Sequence, residues 1–296
     1  MFATHRAEVR GVQIAFAHEG AGGTPLLLVH GWPETRRIWW RNIGPLAEAG
    51  FEVIAPDLRG FGDSGQAPDG HYDAAAQSRD LEALVRDELG HERCVACGGD
   101  FGGMIVYDLA LRFPGFVERM ALFNMPLPRV PGGPDEIPRA TRQAADYFIR
   151  QGTDADGLCA ELDTPEKRRA YVAGMYGHRF WAVPGAFSPE DVDFMTEPFA
   201  RGEAFRSSIA IYEYALRARE WSEKPRFAEP NPTPALVLYG PEDHVVPSTF
   251  CAAMEAALPD RAGPFVVEGA GHFLQWERAD VLNGALRHFC LPWGAR

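Results

Sequence analysis

Three residues at separate points of the chain could together carry out covalent hydrolytic chemistry: Asp100, Asp243 and His272. Asp100 lies in Cys97-Gly-Gly-Asp-Phe-Gly-Gly103, framed by Gly98 and Gly102. That spacing suits a strand that reverses sharply into a helix and holds a nucleophile in a strained backbone conformation, with small neighbours to allow the close approach. The N-terminus of the following helix offers N–H groups and a positive dipole end, both favourable to a carboxylate. Asp is also a common helix N-cap, so the reading depends on partners further along. Asp243, in Gly240-Pro-Glu-Asp-His244, supplies an acid, and His272, in Gly269-Ala-Gly-His-Phe273, supplies a base. An ionised carboxylate can attack carbon unaided. The ester it forms needs an activated water, which an imidazole oriented by a second carboxylate provides.

For these residues to meet, each must stand at the end of a strand. The apolar run from Arg93 to Ala96 predicts a strand entering the Asp100 turn, and Met104 to Phe113 an amphipathic helix leaving it. Asp243 follows a predicted strand at Pro234–Tyr239, and His272 one at Phe265–Val267. Upstream, Ala7 to Glu19 reads as a strand pair around Gly11, while Pro25–Val29 and Phe51–Ala55 read as buried strands joined by a helix over Arg36 to Ala49. A helix from Ala74 to Leu89 and a strand from Val117 to Phe123 continue the alternation. This rhythm predicts an α/β fold with a mostly parallel central sheet flanked by helices, its functional crevice beyond the carboxyl ends of the strands. The strand pattern stops between Pro126 and about Lys224, where Pro-rich turns (Pro126 to Pro138) precede helical segments at Arg139 to Gln151 and Glu203 to Arg219. Residues 126–224 are therefore expected to form an inserted helical cap on a core made of 1–125 and 225–296, with later helices at Ser248–Leu258 and Ala279–Phe289.

The net charge of −12 argues against nucleic-acid or anionic-lipid partners and suits an uncharged or hydrophobic substrate. Met1 to Arg10 carries charges throughout, no apolar run approaches a membrane span, and the five scattered cysteines fit a reducing compartment; the expected location is the cytoplasm, with no disulfide. Cys94-x-x-Cys97 reads as buried small apolar residues rather than a metal or redox pair, because it lies within a strand and has no second pair. Gly60-Phe-Gly-Asp-Ser-Gly65 matches a dinucleotide-binding loop, but Gln66-Ala-Pro-Asp-Gly70 follows where the phosphate-binding helix should begin, so glycine for a tight turn is the better account. No metal or organic cofactor is implied, and the sequence specifies no oligomeric state.

The order nucleophile, acid, histidine is that of the α/β-hydrolases, and the whole chain resembles that fold, more narrowly its epoxide hydrolases. His30-Gly-Trp-Pro-Glu34 resembles the family's His-Gly-x-Pro loop, which implies an oxyanion hole from the backbone N–H groups of Trp32 and Phe101. Gly99-Asp-Phe-Gly-Gly103 departs from the commoner His-Asp-Trp-Gly-Gly at both positions beside the nucleophile. Tyr147-Phe148 followed by Gly152, and Phe205-Arg206 followed by Ile209, Ile211 and Tyr212, resemble the segments that carry the two cap tyrosines. The resemblance selects Tyr212 over Tyr214, a choice that helical spacing alone leaves open. It implies attack by Asp100 on a small hydrophobic epoxide, hydrogen bonds from Tyr147 and Tyr212 to the ring oxygen, and hydrolysis of the ester by His272 with Asp243. Glu34 is a candidate for placing the water, against a solvent-facing charge. Haloalkane dehalogenases share the fold and the Asp nucleophile but need halide donors that Phe101 lacks, and fluoroacetate dehalogenases need arginines absent from Phe101-Gly-Gly-Met104. A non-catalytic ligand receptor on the same fold is the remaining alternative.

Overall fold

The computed structural model describes residues 2–134, 142–177 and 181–291. Its strands are β1 (His5–Val9), β2 (Val12–Glu19), β3 (Thr24–Val29), β4 (Phe51–Pro56), β5 (Cys94–Gly99), β6 (Val117–Phe123), β7 (Ala235–Tyr239) and β8 (Arg261–Val266). They form one sheet in the order β1-β2-β4-β3-β5-β6-β7-β8. The β1–β2 and β2–β4 pairs are antiparallel and all others parallel. Every residue of β4, β5 and β7 is buried, as expected where helices cover both faces of a parallel sheet; the one charge among them, Glu52 of β4, is held by His18, His91 and the Gly22 N–H.

The core helices are α1 (Ile43–Glu48), α2 (Ala74–Ala83) and α3 (Asp100–Arg112). Between β6 and β7 come α4 (Arg142–Thr153), α5 (Ala155–Glu161), α6 (Pro165–Tyr176), α7 (Pro189–Thr196), α8 (Gly202–Ser208) and α9 (Ala210–Ala215). The chain then adds α10 (Phe250–Ala257), α11 (Leu274–Glu277) and α12 (Ala279–Cys290). The expected turns at Pro126 to Pro138 and the helix at Arg139 to Gln151 fall partly outside the described residues.

Local physics moves several expected boundaries. The helix expected over Arg36 to Ala49 is a 3-10 turn, Arg36–Trp39, followed by α1; Pro45 is tolerated in the first turn of α1, but in a continuous helix its ring would strike the Arg41 carbonyl. The Ala74 to Leu89 helix ends as α2 and continues as a π turn, Leu84–Glu88. Glu203 to Arg219 is broken at Ile209. There Ser207 and Ser208 hydroxyls donate back to the Glu203 and Phe205 carbonyls, a competition that bends helices. α9 then stops well short of Arg219, where Arg217 adopts a left-handed conformation without being glycine. Strand β8 begins at Arg261, earlier than expected, because Pro264 is acceptable on an edge strand. The helix after the Asp100 turn begins at Asp100 itself rather than Met104.

Candidate active site

Asp100 stands where β5 turns into α3, in the left-handed region at φ +47°. Close packing explains its glycine frame. A Cβ on Gly98 would lie 2.6 Å from the Gly102 carbonyl carbon, and one on Gly102 would overlap the Val29 carbonyl oxygen. Gly31, in the facing loop, has no room for a Cβ beside the Asp100 carboxylate. Gly99, where the family pattern has His, follows the same logic: the buried Phe123 ring fills the space its side chain would need. Asp100 is 8 % exposed, at the N-terminus of a helix 13 residues long.

His272 is fully buried and its Nδ1–H donates to Asp243 Oδ2 at 2.8 Å. Its Nε2 is 3.4 Å from Asp100 Oδ2 and has no hydrogen-bond partner. Burial alone would push the imidazole down, but the charge of Asp243 and the contacts with Asp100 and Asp243 hold it well above its ordinary range. Asp243 Oδ1 accepts the N–H groups of Val245 and Val246 at 2.7 and 3.0 Å, which fixes its second oxygen on the histidine.

Asn124, immediately after β6, was not among the residues singled out from sequence. Its Nδ2 donates to Asp243 Oδ2 at 2.8 Å and contacts the Gly240 and Gly271 carbonyls at 3.2 Å; its Oδ1 accepts the Gly240 N–H at 2.8 Å. Its backbone carbonyl accepts the Asp100 N–H at 3.1 Å. One residue thus ties together the three strand ends that carry Asp100, Asp243 and His272. The rule that sites gather at the carboxyl ends of parallel strands could have found it.

The loop after β3 closes the other side. The Trp32 N–H donates to Asp100 Oδ1 at 2.8 Å, and the Phe101 N–H is one of the unpaired donors of the first turn of α3. His30 staples this loop to the end of β4: its Nδ1–H donates to the Gly31 carbonyl at 2.9 Å and its Nε2 accepts the Leu58 N–H at 3.0 Å, while burial pushes its pKa down. Glu34 is not the solvent-facing charge set against its candidate role. It is 2 % exposed, with Oε2 on the Gly31 N–H at 2.7 Å and Oε1 on Gln275 Nε2 at 2.6 Å, and burial raises its carboxyl to about 7.

Tyr147 and Tyr212 come together from α4 and α9. Their rings meet edge to face with centroids 5.9 Å apart. Tyr147 stacks on Trp32 at 5.9 Å, and Tyr212 packs edge-on against Trp32 and Phe101 at 5.4 and 5.1 Å. Burial, reinforced by the Asp100 charge, holds both phenols well above their ordinary range, so both remain donors at neutral pH. Tyr214 points elsewhere: its hydroxyl accepts the Tyr72 N–H, and its ring packs on Trp221. Trp181, also missed from sequence, stands edge-on to the His272 ring at 4.8 Å and against Tyr147 at 5.1 Å.

The Gly60–Gly65 loop has no free cradle for a phosphate. Gly60, Phe61, Asp63, Ser64 and Gly65 each direct their N–H to an internal acceptor, Asp63 to the Asp57 carboxylate. All five cysteines are free, with Cys94 and Cys97 buried. Among the described residues no group of His, Cys, Asp or Glu could hold a metal ion, and no helix is long and apolar enough to cross a membrane.

The chain is 29% identical to the soluble epoxide hydrolase of Corynebacterium sp. (strain C12), over 96% of each chain. It is also 29% identical to epoxide hydrolase A of Mycobacterium tuberculosis, over 95% of each. The structure of epoxide hydrolase CorEH without ligand superposes with a TM-score of 0.82 at 25% identity, covering 97% of this chain and 98% of that one. The alpha/beta hydrolase fold model matches residues 24–279, and with the sheet order and strand-end site described above, the chain belongs to the alpha/beta hydrolase fold family.

Proposed function

We propose that the chain is an epoxide hydrolase that opens a small hydrophobic epoxide through an alkyl ester on Asp100 and releases a vicinal diol. The observation that carries this reading is the pair of tyrosines, Tyr147 and Tyr212, packed around Trp32 and Phe101 beside the Asp100 carboxylate. The resemblance to named epoxide hydrolases over nearly the whole chain supports it. In this reading residues 126–224 form a cap that brings the tyrosines over a core made of 1–125 and 225–296, and the free thiols suit the cytoplasm.

Asp100 attacks a ring carbon in line with the breaking C–O bond, and the electron pair of that bond passes to the ring oxygen. The two tyrosines hydrogen-bond this oxygen as it becomes an alkoxide, and one of them gives it a proton. Alkylation removes the Asp100 charge that helps hold the imidazole above its ordinary range, so His272 is freed to act as a base and takes a proton from water, whose oxygen bonds to the Asp100 carbonyl carbon, with Glu34 helping to place the water. The tetrahedral oxyanion is held by the Trp32 and Phe101 N–H groups and collapses, expelling the diol oxygen, which takes the proton back from the imidazolium; the water proton left on the regenerated Asp100 carboxyl passes through solvent to the tyrosinate, which restores the resting state.

Loss of halide has less support. Phe101 offers no side-chain donor, and the Trp32 indole N–H is engaged with Ser208 Oγ at 3.3 Å. The test is His272→Gln: mixed with styrene oxide, it should consume about one equivalent, release little diol, and leave the substrate mass on the peptide containing Asp100. Asp100→Ala should form no adduct. In wild-type enzyme turning over in ¹⁸O-water, label should enter the Asp100 carboxylate. Label in first-turnover diol with none in Asp100 refutes the ester, halide release from 1-chloroalkanes outpacing diol formation moves the assignment to dehalogenation, and inactivity across epoxides, halides and esters moves it to a receptor.

A further inference from the structure

His272 is held from beneath as well as by Asp243. Its loop runs into α11, and Glu277 at the end of that helix folds back under the loop: Oε2 accepts the Gly271 N–H at 2.9 Å and Oε1 the Phe273 N–H at 3.0 Å. The same Oε2 accepts the Val183 N–H at 3.0 Å, from the stretch between α6 and α7. That stretch also holds the histidine directly, for the Trp181 carbonyl accepts the His272 N–H at 2.6 Å. Gly271 shows how tight the junction is: a Cβ there would lie 2.7 Å from the Trp181 carbonyl oxygen and 3.1 Å from each Glu277 carboxylate oxygen. Burial raises the Glu277 carboxyl above its ordinary value; the three backbone N–H groups that converge on it and the nearby His272 charge oppose that rise and favour the anion that faces the imidazole.

We propose that Glu277 is a positioning residue for the water-activating step, fixing the His272 loop against Trp181–Val183 and supplying a negative charge that favours the imidazolium formed as water is deprotonated. The proposal rests on the ester mechanism above, because only the second step uses His272 as a base. Among the described residues, the charges acting on the imidazole come from four elements: Asp100 from α3, Asp243 from after β7, Glu34 from the loop after β3, and Glu277 from α11. Glu277 touches neither the proposed nucleophile nor the tyrosines, so ring opening should not need it.

The experiment is rapid-quench kinetics of Glu277→Gln and Glu277→Asp with styrene oxide, following ester formation and ester breakdown separately across pH. In Glu277→Gln, ring opening should stay within about twofold of wild type while ester breakdown slows by about tenfold or more, so that the ester accumulates at steady state. The acid limb of ester breakdown, which reports the imidazole, should move to lower pH, because removing an anion makes the imidazolium easier to deprotonate. Glu277→Asp keeps the charge and loses reach, so its breakdown should slow with the acid limb near the wild-type position. If Glu277→Gln does not fold, Glu277→Asp carries the test, and wild-type breakdown in it overturns the proposal. Equal slowing of both steps with the limb unmoved means a purely structural residue, and also overturns it. His272→Gln separates the two levels: no trapped ester removes the mechanism and the proposal together, whereas a trapped ester there with wild-type partitioning in Glu277→Gln removes the proposal alone.

Discussion

Replacing Glu34 by Gln should stabilise the protein at alkaline pH and not at acid pH. Burial pushes the Glu34 carboxyl from 4.5 to about 7; the Gly31 N–H opposes this rise and the nearby Asp100 charge adds to it. A carboxyl whose pKa is raised by folding favours the native state most below its unfolded value, where both states carry the proton. As pH climbs from 4.5 the unfolded chain ionises first, and the native state loses about 1.4 kcal/mol per unit until Glu34 itself ionises near 7. The accumulated cost at pH 8 is on the order of 3 kcal/mol, an appreciable part of a domain's stability. Glutamine cannot ionise, so it escapes that cost. Its oxygen can keep the Gly31 N–H, and half a turn of the Gln275 amide would bring the Gln275 Oε1, buried here without a partner, onto the new NH₂ donor. Urea unfolding of both proteins at pH 4.5 and pH 8 checks this: the variant should match wild type at the lower pH and exceed it by up to about 3 kcal/mol at the higher. A difference that does not change with pH, or a variant less stable at pH 8, refutes the reasoning. Ester breakdown should slow in the same variant if Glu34 places the water, a trade of activity against stability.

Tyr147→Phe and Tyr212→Phe should each slow ester formation and together nearly abolish it, within the roughly 10²–10⁴-fold range of general-acid assistance, as read by single-turnover quench. Tyr214→Phe should leave that step unchanged, because its hydroxyl serves the Tyr72 backbone. Asn124→Ala should lose about 2–4 kcal/mol in urea unfolding, since it strands the Gly240 N–H and removes a donor from Asp243. Asn124→Gly should recover about 1 kcal/mol of that, because Asn124 sits at φ +37°.

The strands, their parallel arrangement and the three strand-end residues were legible because each rests on a local signal: an unbroken apolar run, a glycine frame, a turn. What was hidden depends on partners distant in sequence. Asn124 looks like an ordinary polar residue after a strand until its amide meets Asp243, Gly240 and Gly271. Gly99 departs from the family pattern, and the reason is the Phe123 ring one strand away. Glu34 was a candidate for placing the water, but its burial was not legible, because Gln275 covers it from 241 positions on. The helix breaks at Ile209 and Arg217 were hidden differently, because serine back-bonding and a left-handed arginine carry none of the usual Gly or Pro punctuation.

The two oxygens of Asp100 are not equivalent, and the difference assigns them to different parts of the proposed reaction. Oδ1 already accepts the Trp32 N–H at 2.8 Å, whereas Oδ2 faces His272 Nε2 at 3.4 Å without an aligned hydrogen bond. Alkylation through Oδ1 would give up the hydrogen bond of that ionised oxygen, so Oδ2 is the oxygen left to bond to the ring carbon. The ester carbonyl is then Oδ1, which needs no movement to gain negative charge when water adds to the carbon. Its donor is in place before the reaction begins, held there by a loop that His30 and Glu34 fix from either side. In the proposed reaction this is the economy of a preorganised site: the backbone N–H that restrains the Asp100 carboxylate at rest would become the donor that stabilises the tetrahedral oxyanion, and no dipole would have to reorient between the two steps.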